Sequence, residues 1–497
     1  MAPFTPRNAT VHPDIVLVKP GRQRQLYGVL SGAALTGLEP PLWAALLAAC
    51  LRQRGYRVEL IDAEIENWSV EETAEHVSAL SPVLAAVVVS GTNPSASTMN
   101  MTGAGLILTH LKQIAPDIHT VLTGLHPSAL PRRTMEEEHT DFVCDGEGFM
   151  TLPALLGAVK AKDHDFSRIP GLWYRENGGI VSTPRAPLVG NLDELPMSAW
   201  DLLPLEKYRA HNWHCFDQHY PRQPYAVIYT SLGCPFNCSF CCINALFGNH
   251  TIRYRSTDSV VREIDHLVTK RGVRTIKIMD EMFGLKESRV AELCGKIAAL
   301  GHDLNFWAYT RVNTVTAPML QAMKKAGIHW AAYGFESGSQ KVLDSVTKGY
   351  KGDQLETSVK MTLDAGMHIM GNYMFGLPDD DCESMQATHE LALRLNNEFI
   401  NYNCVMAYPG SKLYDDAVAR KLPLPATWEG YSQYGPLSLP LPTKHLSGPD
   451  VLRFRDKAFV GYLSNPRYID MVRRKFGEPA VQSLTAILAQ KLERKHI

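Results

Sequence analysis

The segment that begins at Ser231 reads SLGCPFNCSFCC, which sets Cys234, Cys238 and Cys241 at the spacing C-x3-C-x2-C. Three thiolates on one short loop suit three corners of an iron–sulfur cube, since such clusters are held by cysteine thiolates. The fourth corner then stays open, and an open metal position is what a chelating substrate requires, as at catalytic rather than structural zinc. The competing reading is a closed zinc site completed by Cys242 or by a distant histidine. Adjacent Cys241 and Cys242 do not easily aim both sulfurs at one metal from a tight loop, and no second CxxC or HxxxH follows.

Such a loop needs a rigid support. Strand-like runs at 225–230, 275–279, 305–309, 330–335, 368–375 and 401–407 alternate with helical patterns, among them 259–270 with Val260, Ile264 and Leu267 on one face. The spacing is that of successive right-handed βαβ units, and six of them make a large part of a barrel. The cysteines follow its first strand, at the carboxyl end where barrel chemistry sits.

Upstream, residues 1–185 alternate strands (14–18, 57–61, 84–90, 119–123, 142–144) with helices near 41–54, 70–80, 98–114 and 149–160. That pattern predicts an α/β, doubly wound domain that binds ligands at the carboxyl ends of its strands. A hairpin over 171–185 turns at Asn177-Gly178-Gly179. Residues 186–224, rich in proline and aromatics, read as a linker or wrapping segment. After the barrel at 225–415, residues 416–497 read as a helical appendage.

The 497 residues are 45% hydrophobic and 20% charged, the profile of an ordinary globular chain of several domains. Fifty Lys+Arg against fifty-one Asp+Glu give a net charge of −1, so no overall field draws the chain to nucleic acid or an anionic membrane. The start, MAPFTPRNAT, lacks a signal-peptide pattern, and no apolar stretch reaches the length of a spanning helix. A cytoplasmic protein with a small-molecule partner is expected, and its ten cysteines are too sparse for a disulfide scaffold.

The cysteine triad, with Phe240 just before the third cysteine, resembles the hallmark of radical S-adenosylmethionine (SAM) enzymes. The resemblance implies a (β/α)6 partial barrel, a four-iron, four-sulfur cluster on Cys234, Cys238 and Cys241, and SAM chelated to the open iron. It implies reductive cleavage of SAM to a 5′-deoxyadenosyl radical that takes hydrogen from an unactivated carbon, with a reductant such as flavodoxin or ferredoxin as partner. Later segments match in order. Met279-Asp280-Glu281 stands where the family holds the methionine amino group, with Asp-Glu in place of the commoner Gly-Gly-Glu, so Asp280 and Glu281 carry over. Arg311 is the candidate for the methionine carboxylate. Gly334-Phe335-Glu336-Ser337-Gly338-Ser339 resembles the family's GxESGS segment, so Glu336 and Ser337 would reach the methionine or ribose. The run Gly371 to Pro378, containing Asn372 and Gly376, is similar to the fifth-strand motif that lets the backbone approach adenine.

The amino-terminal part is similar to the cobalamin-binding domains that precede such barrels. In those domains Ser90 and Thr92 would line the nucleotide-tail pocket and Gly124 would give it room, while Asp145-Gly146-Glu147-Gly148 would allow close approach to a large polar ligand. No D-x-H-x-x-G occurs in residues 1–150, so no histidine is marked as a cobalt ligand; His126 sits in G-x-H-P, which is not that motif, although it could face a cofactor. The absence fits cobalamin bound without such a ligand, and equally a domain that keeps the fold without the cofactor. The linker stretch 211–220 offers His214, Cys215 or Tyr220 as donors at the barrel mouth, or simply packs the two domains together. Three functions follow. With cobalamin, the chain would transfer a methyl group to an unactivated carbon. Without it, a substrate radical would eliminate, as in dehydration of an aminoglycoside-like polyol. A non-catalytic metal-binding or electron-carrier protein is the third.

Overall fold

The computed structural model describes residues 12–21, 26, 28, 36–91 and 96–497. Thr92 therefore lies outside the described residues. In the amino-terminal sheet, β1 (Ile15–Lys19), β2 (Val58–Asp62), β3 (Leu84–Val89), β4 (His119–Gly124) and β5 (Phe142–Cys144) run parallel in the order β2-β1-β3-β4-β5. The hairpin β6 (Leu172–Glu176) and β7 (Gly179–Ser182) extends it antiparallel. Neighbouring residues of β1 feed opposite cores: Ile15 and Leu17 pack on one face of the sheet, Val16 and Val18 on the other. Burial on both faces is why IVLVK and LAAVVV are apolar without alternation. Gly124 was expected to make room for a cofactor. Its φ of 115° and the clash that a Cβ would make with the Val89 carbonyl show instead that it lets β4 lie against β3.

The second sheet contains β8 (Tyr225–Ile228), β11 (Thr275–Ile278), β12 (Asn305–Thr310), β13 (Ile328–Glu336), β14 (His368–Phe375) and β15 (Phe399–Cys404). All are parallel in the order β15-β14-β13-β12-β11-β8, so the barrel is partial. Between β8 and β11, a short ribbon of β9 (Ser231–Leu232) and β10 (Arg253–Tyr254) brackets the cysteine loop. The last strand begins and ends earlier than the sequence suggests, because Val405 already pairs its carbonyl with Leu441 beyond the sheet. The helix Thr257–Arg271 starts at a Ser256 cap, ends at left-handed Gly272, and buries Val260, Ile264 and Leu267.

The linker has no strand. It forms four short 3-10 turns pinned at intervals: Trp200 Nε1 donates to Glu263 at 2.8 Å and Tyr208 Oη to Asp62 at 2.9 Å. The helices Gly448–Leu463 and Pro466–Phe476 cover the outer edge of the barrel, where Tyr462 and Tyr468 donate to the carbonyls of Asn397 and Glu398 ahead of β15. An exposed edge strand invites unwanted pairing, and these helices shield it. Among the described residues no helix is long and apolar enough to cross a membrane.

The carboxyl edges of the two sheets face each other. Glu147, after β5, pairs with Arg253 of the ribbon at 2.5 Å, and Arg185 donates to the Leu246 carbonyl at 3.0 Å. A Cβ on Gly410 would touch both Ala129 and Ala245. The 145–148 segment, expected to meet a ligand, thus docks one domain on the other through Glu147.

Candidate active site

Between the two sheets and the carboxyl-terminal helices lies a cavity of about 910 Å³, near the top of the usual ~300–1,000 Å³ range for ligand sites. The cysteine loop borders it. Gly233 opens that loop with φ 91°, where a Cβ would strike the Thr251 carbonyl, so the ribbon can close at its base. Cys234, Cys238 and Cys241 all line the cavity. Burial pushes the Cys234 thiol up to about 11 and the Cys241 thiol up to about 12, and the neighbouring thiols push the same way. Thiols in this state ionise when a metal takes up the charge. Cys242 is buried and does not line the cavity, whereas its neighbour Cys241 does.

Charged groups surround the triad. Arg311 places Nη1 3.7 Å from Cys238 Sγ, spends Nε on Asn313 Oδ1 at 2.8 Å, and lies over the Phe236 ring at 3.9 Å. Glu281 accepts from the Gly233 amide at 3.1 Å and lines the cavity, its carboxyl pushed up to about 8 by burial and then by the Asp280 charge. Glu336 holds the left-handed φ of 55° that a non-glycine residue adopts only under constraint, and its Oε1 meets Lys348 Nζ at 2.5 Å. A Cβ on Gly334 would collide with both partners, so that glycine leaves space for the pair. Phe240 lines the cavity with Lys348 over its ring at 5.7 Å. Asn372 lines it too, donating to the Tyr333 carbonyl at 3.1 Å and accepting from Asn401 at 3.1 Å.

Other expected site residues sit elsewhere. Asp280 is buried out of the cavity, its oxygens taken by the Thr230 amide and the Thr230 and Ser231 hydroxyls at 2.5–2.6 Å. Ser337 bonds Thr388 and the Ser339 amide, tying the segment after β13 to the helix Cys382–Leu395. Gly376 gives room to Val451 of the carboxyl-terminal helix rather than to an adenine. Cys215 is covered by Pro221 and Asn305, and Tyr220 donates to Asp303 at 2.6 Å beside His329, at the amino ends of the strands and away from the cavity. His214 is buried there as well. Ser90 accepts from Asn100 Nδ2 through its carbonyl, and His126 is enclosed by Thr98 at 3.2 Å and Trp428, so neither lines the cavity. Burial, with Arg133 adding to it, holds the His126 imidazole down to about 3.

Several cavity residues had not been singled out: Glu39 and Lys277, an ion pair closed at 3.0 Å through both carboxylate oxygens, Lys348, Asn212 and Trp213 of the linker, and Asn401 and Asn403 of β15. One signal was available for the last two, since FINYNC puts asparagines at alternate positions of a strand.

The family models that match are the B12 binding domain over residues 28–156 and the radical SAM superfamily over residues 228–392. An uncharacterized methyltransferase of Pyrococcus horikoshii is 30% identical over 431 residues, 86% of this chain and 89% of that protein. The chain belongs to the radical SAM superfamily, in the group that carries a B12-binding domain. A second relative, the cytidylyl-2-hydroxyethylphosphonate methyltransferase of Streptomyces wedmorensis, is 22% identical over 76% of this chain and 78% of its own length. In fold, the chain matches the radical SAM methyltransferase TsrM from Kitasatospora setae, bound to cobalamin and a [4Fe-4S] cluster, with a TM-score of 0.67 at 19% identity over 91% of this chain and 89% of that one. It also matches the cobalamin-dependent radical SAM enzyme OxsB with a TM-score of 0.69 at 16% identity, over 95% and 72%.

This radical SAM membership implies a four-iron, four-sulfur cluster, SAM and cobalamin, and the residues present fit them. The donor set for the cluster is the three cavity thiols. Glu281, Arg311 and the Glu336–Lys348 pair give the neighbouring wall the mixed charge that suits a zwitterionic methionine moiety. Near the carboxyl edge of the amino-terminal sheet, the Ser97 hydroxyl is buried with no hydrogen-bond partner among the described residues, which suits a polar ligand there.

Proposed function

We propose that this radical SAM enzyme is a cobalamin-dependent methyltransferase that takes hydrogen from an unactivated carbon of a small polar substrate and replaces it with a methyl group. The observation that carries the reading is a single cavity bordered by the cysteine triad on one side and by Thr36, Gly37, Ala96 and Met99 of the B12-binding-type domain on the other. When bound, the cluster supplies an electron to SAM and cobalamin supplies the methyl group. The chain's own share is placement and exclusion. Arg311 sets a positive charge beside the triad for the carboxylate of SAM, the Glu281 carboxyl stands there to meet its amino group, and Asn372 lies further along the same wall. Trp213, Trp307 and Phe399 close the inner end with aromatic surface, which keeps water from a reactive radical. Dehydration needs an acid for the departing hydroxyl, and the linker groups expected to provide it, His214, Cys215 and Tyr220, are not cavity residues. An electron carrier has no use for a cavity of this size.

The test is anaerobic reconstitution with iron and sulfide, followed by reduction with SAM present. Cys234→Ala, Cys238→Ala and Cys241→Ala are each expected to abolish 5′-deoxyadenosine formation, and Cys242→Ala to retain it. No 5′-deoxyadenosine from a preparation with a verified cluster overturns the radical reading. No corrinoid bands in protein purified with cobalamin supplied overturns the methyl-transfer reading.

A further inference from the structure

The cavity is divided by charge. Around the cysteines the wall carries Glu281, Arg311, Glu336 and Lys348. On the far side the charges are closed into pairs: Lys277 Nζ meets both oxygens of Glu39 at 3.0 Å, and Asp456 takes Arg494 through both oxygens at 2.9 and 3.0 Å with Arg455 3.0 Å away. Lys491 stands at the solvent-exposed rim.

What borders the space between those pairs is uncharged amide. Asn401 and Asn403 lie at alternate positions of β15 and both line the cavity, and Asn401 is oriented by its bond to Asn372. Asn212 comes from the linker. It is 9% exposed, its Oδ1 accepts from the Trp213 amide at 2.9 Å, and its Nδ2 has no acceptor among the described residues. That nitrogen is itself closed off, and it is the rest of the Asn212 residue that borders the cavity. Beside it, Trp213 and Trp307 meet edge to face at 5.3 Å and present ring surface to the same space.

We propose that Asn212, Asn401 and Asn403 form the substrate subsite, and that its ligand is a neutral polyhydroxylated ring of the sugar or cyclitol class. Hydroxyl groups donate and accept, as amides do, so Asn403 suits a hydroxyl in either sense, while Asn401, whose Nδ2 already donates to Asn372 and Met370, offers its Oδ1 as an acceptor. A saturated ring offers a C–H face to indole. A charged ligand would have to leave water for a space whose Glu39, Lys277 and Asp456 are already engaged with ions of the chain. This assignment deepens the methyl-transfer reading by naming its substrate class. Its test reads binding alone, so failure here and failure of SAM cleavage are separate results.

The experiment titrates the anaerobically purified holoenzyme with myo-inositol, methyl α-D-glucopyranoside, glucosamine, glucuronate and uridine, and follows tryptophan fluorescence. The two neutral polyols are expected to saturate, with glucosamine and glucuronate at least tenfold weaker. Asn403→Leu is expected to weaken the polyols about tenfold while its unfolding midpoint stays near that of the parent. Asn403→Asp, which keeps the shape and adds a negative charge, is expected to shift preference toward glucosamine, an outcome that a purely structural role would not produce. The proposal is overturned if the charged sugars bind as tightly as the neutral ones, if uridine alone saturates, if neither polyol saturates, or if Asn403→Asp leaves the preference unchanged.

Discussion

Asp14 shows how much one carboxylate holds at the start of the amino-terminal sheet. It accepts from the Arg57 amide at 2.8 Å, from Arg57 Nη2 at 2.9 Å and from Lys160 Nζ at 2.7 Å. The Arg57 hydrogen bonds first, and Lys160 after them, hold its carboxyl well below the usual carboxylate range. Both cations are partly solvated, so Asp14→Asn is expected to cost about 1–2 kcal/mol at neutral pH rather than the full value of a buried pair. A depressed folded pKa gives stability that is present above the unfolded value of about 3.9 and is lost as the pH falls through the folded one. Urea melts of parent and variant should therefore differ most near neutrality, with the gap closing progressively below about pH 4.

At the scale of elements, the segment that joins β13 to the helix Cys382–Leu395 packs very closely. A Cβ on Gly338 would lie 2.5 Å from the Ala387 carbonyl oxygen and 2.7 Å from its carbon. Gly338→Ala is expected to push the helix away and cost about 1–3 kcal/mol, measured as a lower unfolding midpoint. Part of the ESGS signature is thus scaffold: Ser337 and Gly338 pack the helix, and Glu336 alone of the two carried-over residues reaches the cavity. The elements were legible in the sequence because each is written locally. Continuous apolar runs gave the buried strands, a period near 3.6 gave helices such as Val70–Leu80, and Phe142–Cys144 and His368–Phe375 fall where the sequence places them. The thiols were legible for the same reason, being neighbours on one loop. The remainder of the site was not, because its members meet only after folding. Asn212, Lys277 and Glu39 come from the linker, a barrel strand and the amino-terminal domain, and no local spacing links them. Cys215 and Tyr220 misled because chemical capability in a residue does not say at which end of a barrel it will lie.

Across the whole molecule, the Glu39–Lys277 pair joins the amino-terminal domain to the interior of the barrel, with Lys277 also over the Trp307 ring at 4.8 Å. Burial pushes the Glu39 carboxyl up and the Lys277 ammonium down, and each is opposed by its partner. Removing one member leaves the other charged and buried. Glu39→Leu and Lys277→Met are each expected to cost about 3–5 kcal/mol, and the double variant clearly less than their sum, read as a coupling energy from urea unfolding.

The same pair bears on how this architecture is inherited. A chimera that grafts the front half of one relative onto the rear half of another would strand an acid or a base in an oily interior unless both halves bring matching members. Recombination breakpoints in the linker should therefore succeed only between parents that share the pair, or that have jointly replaced it.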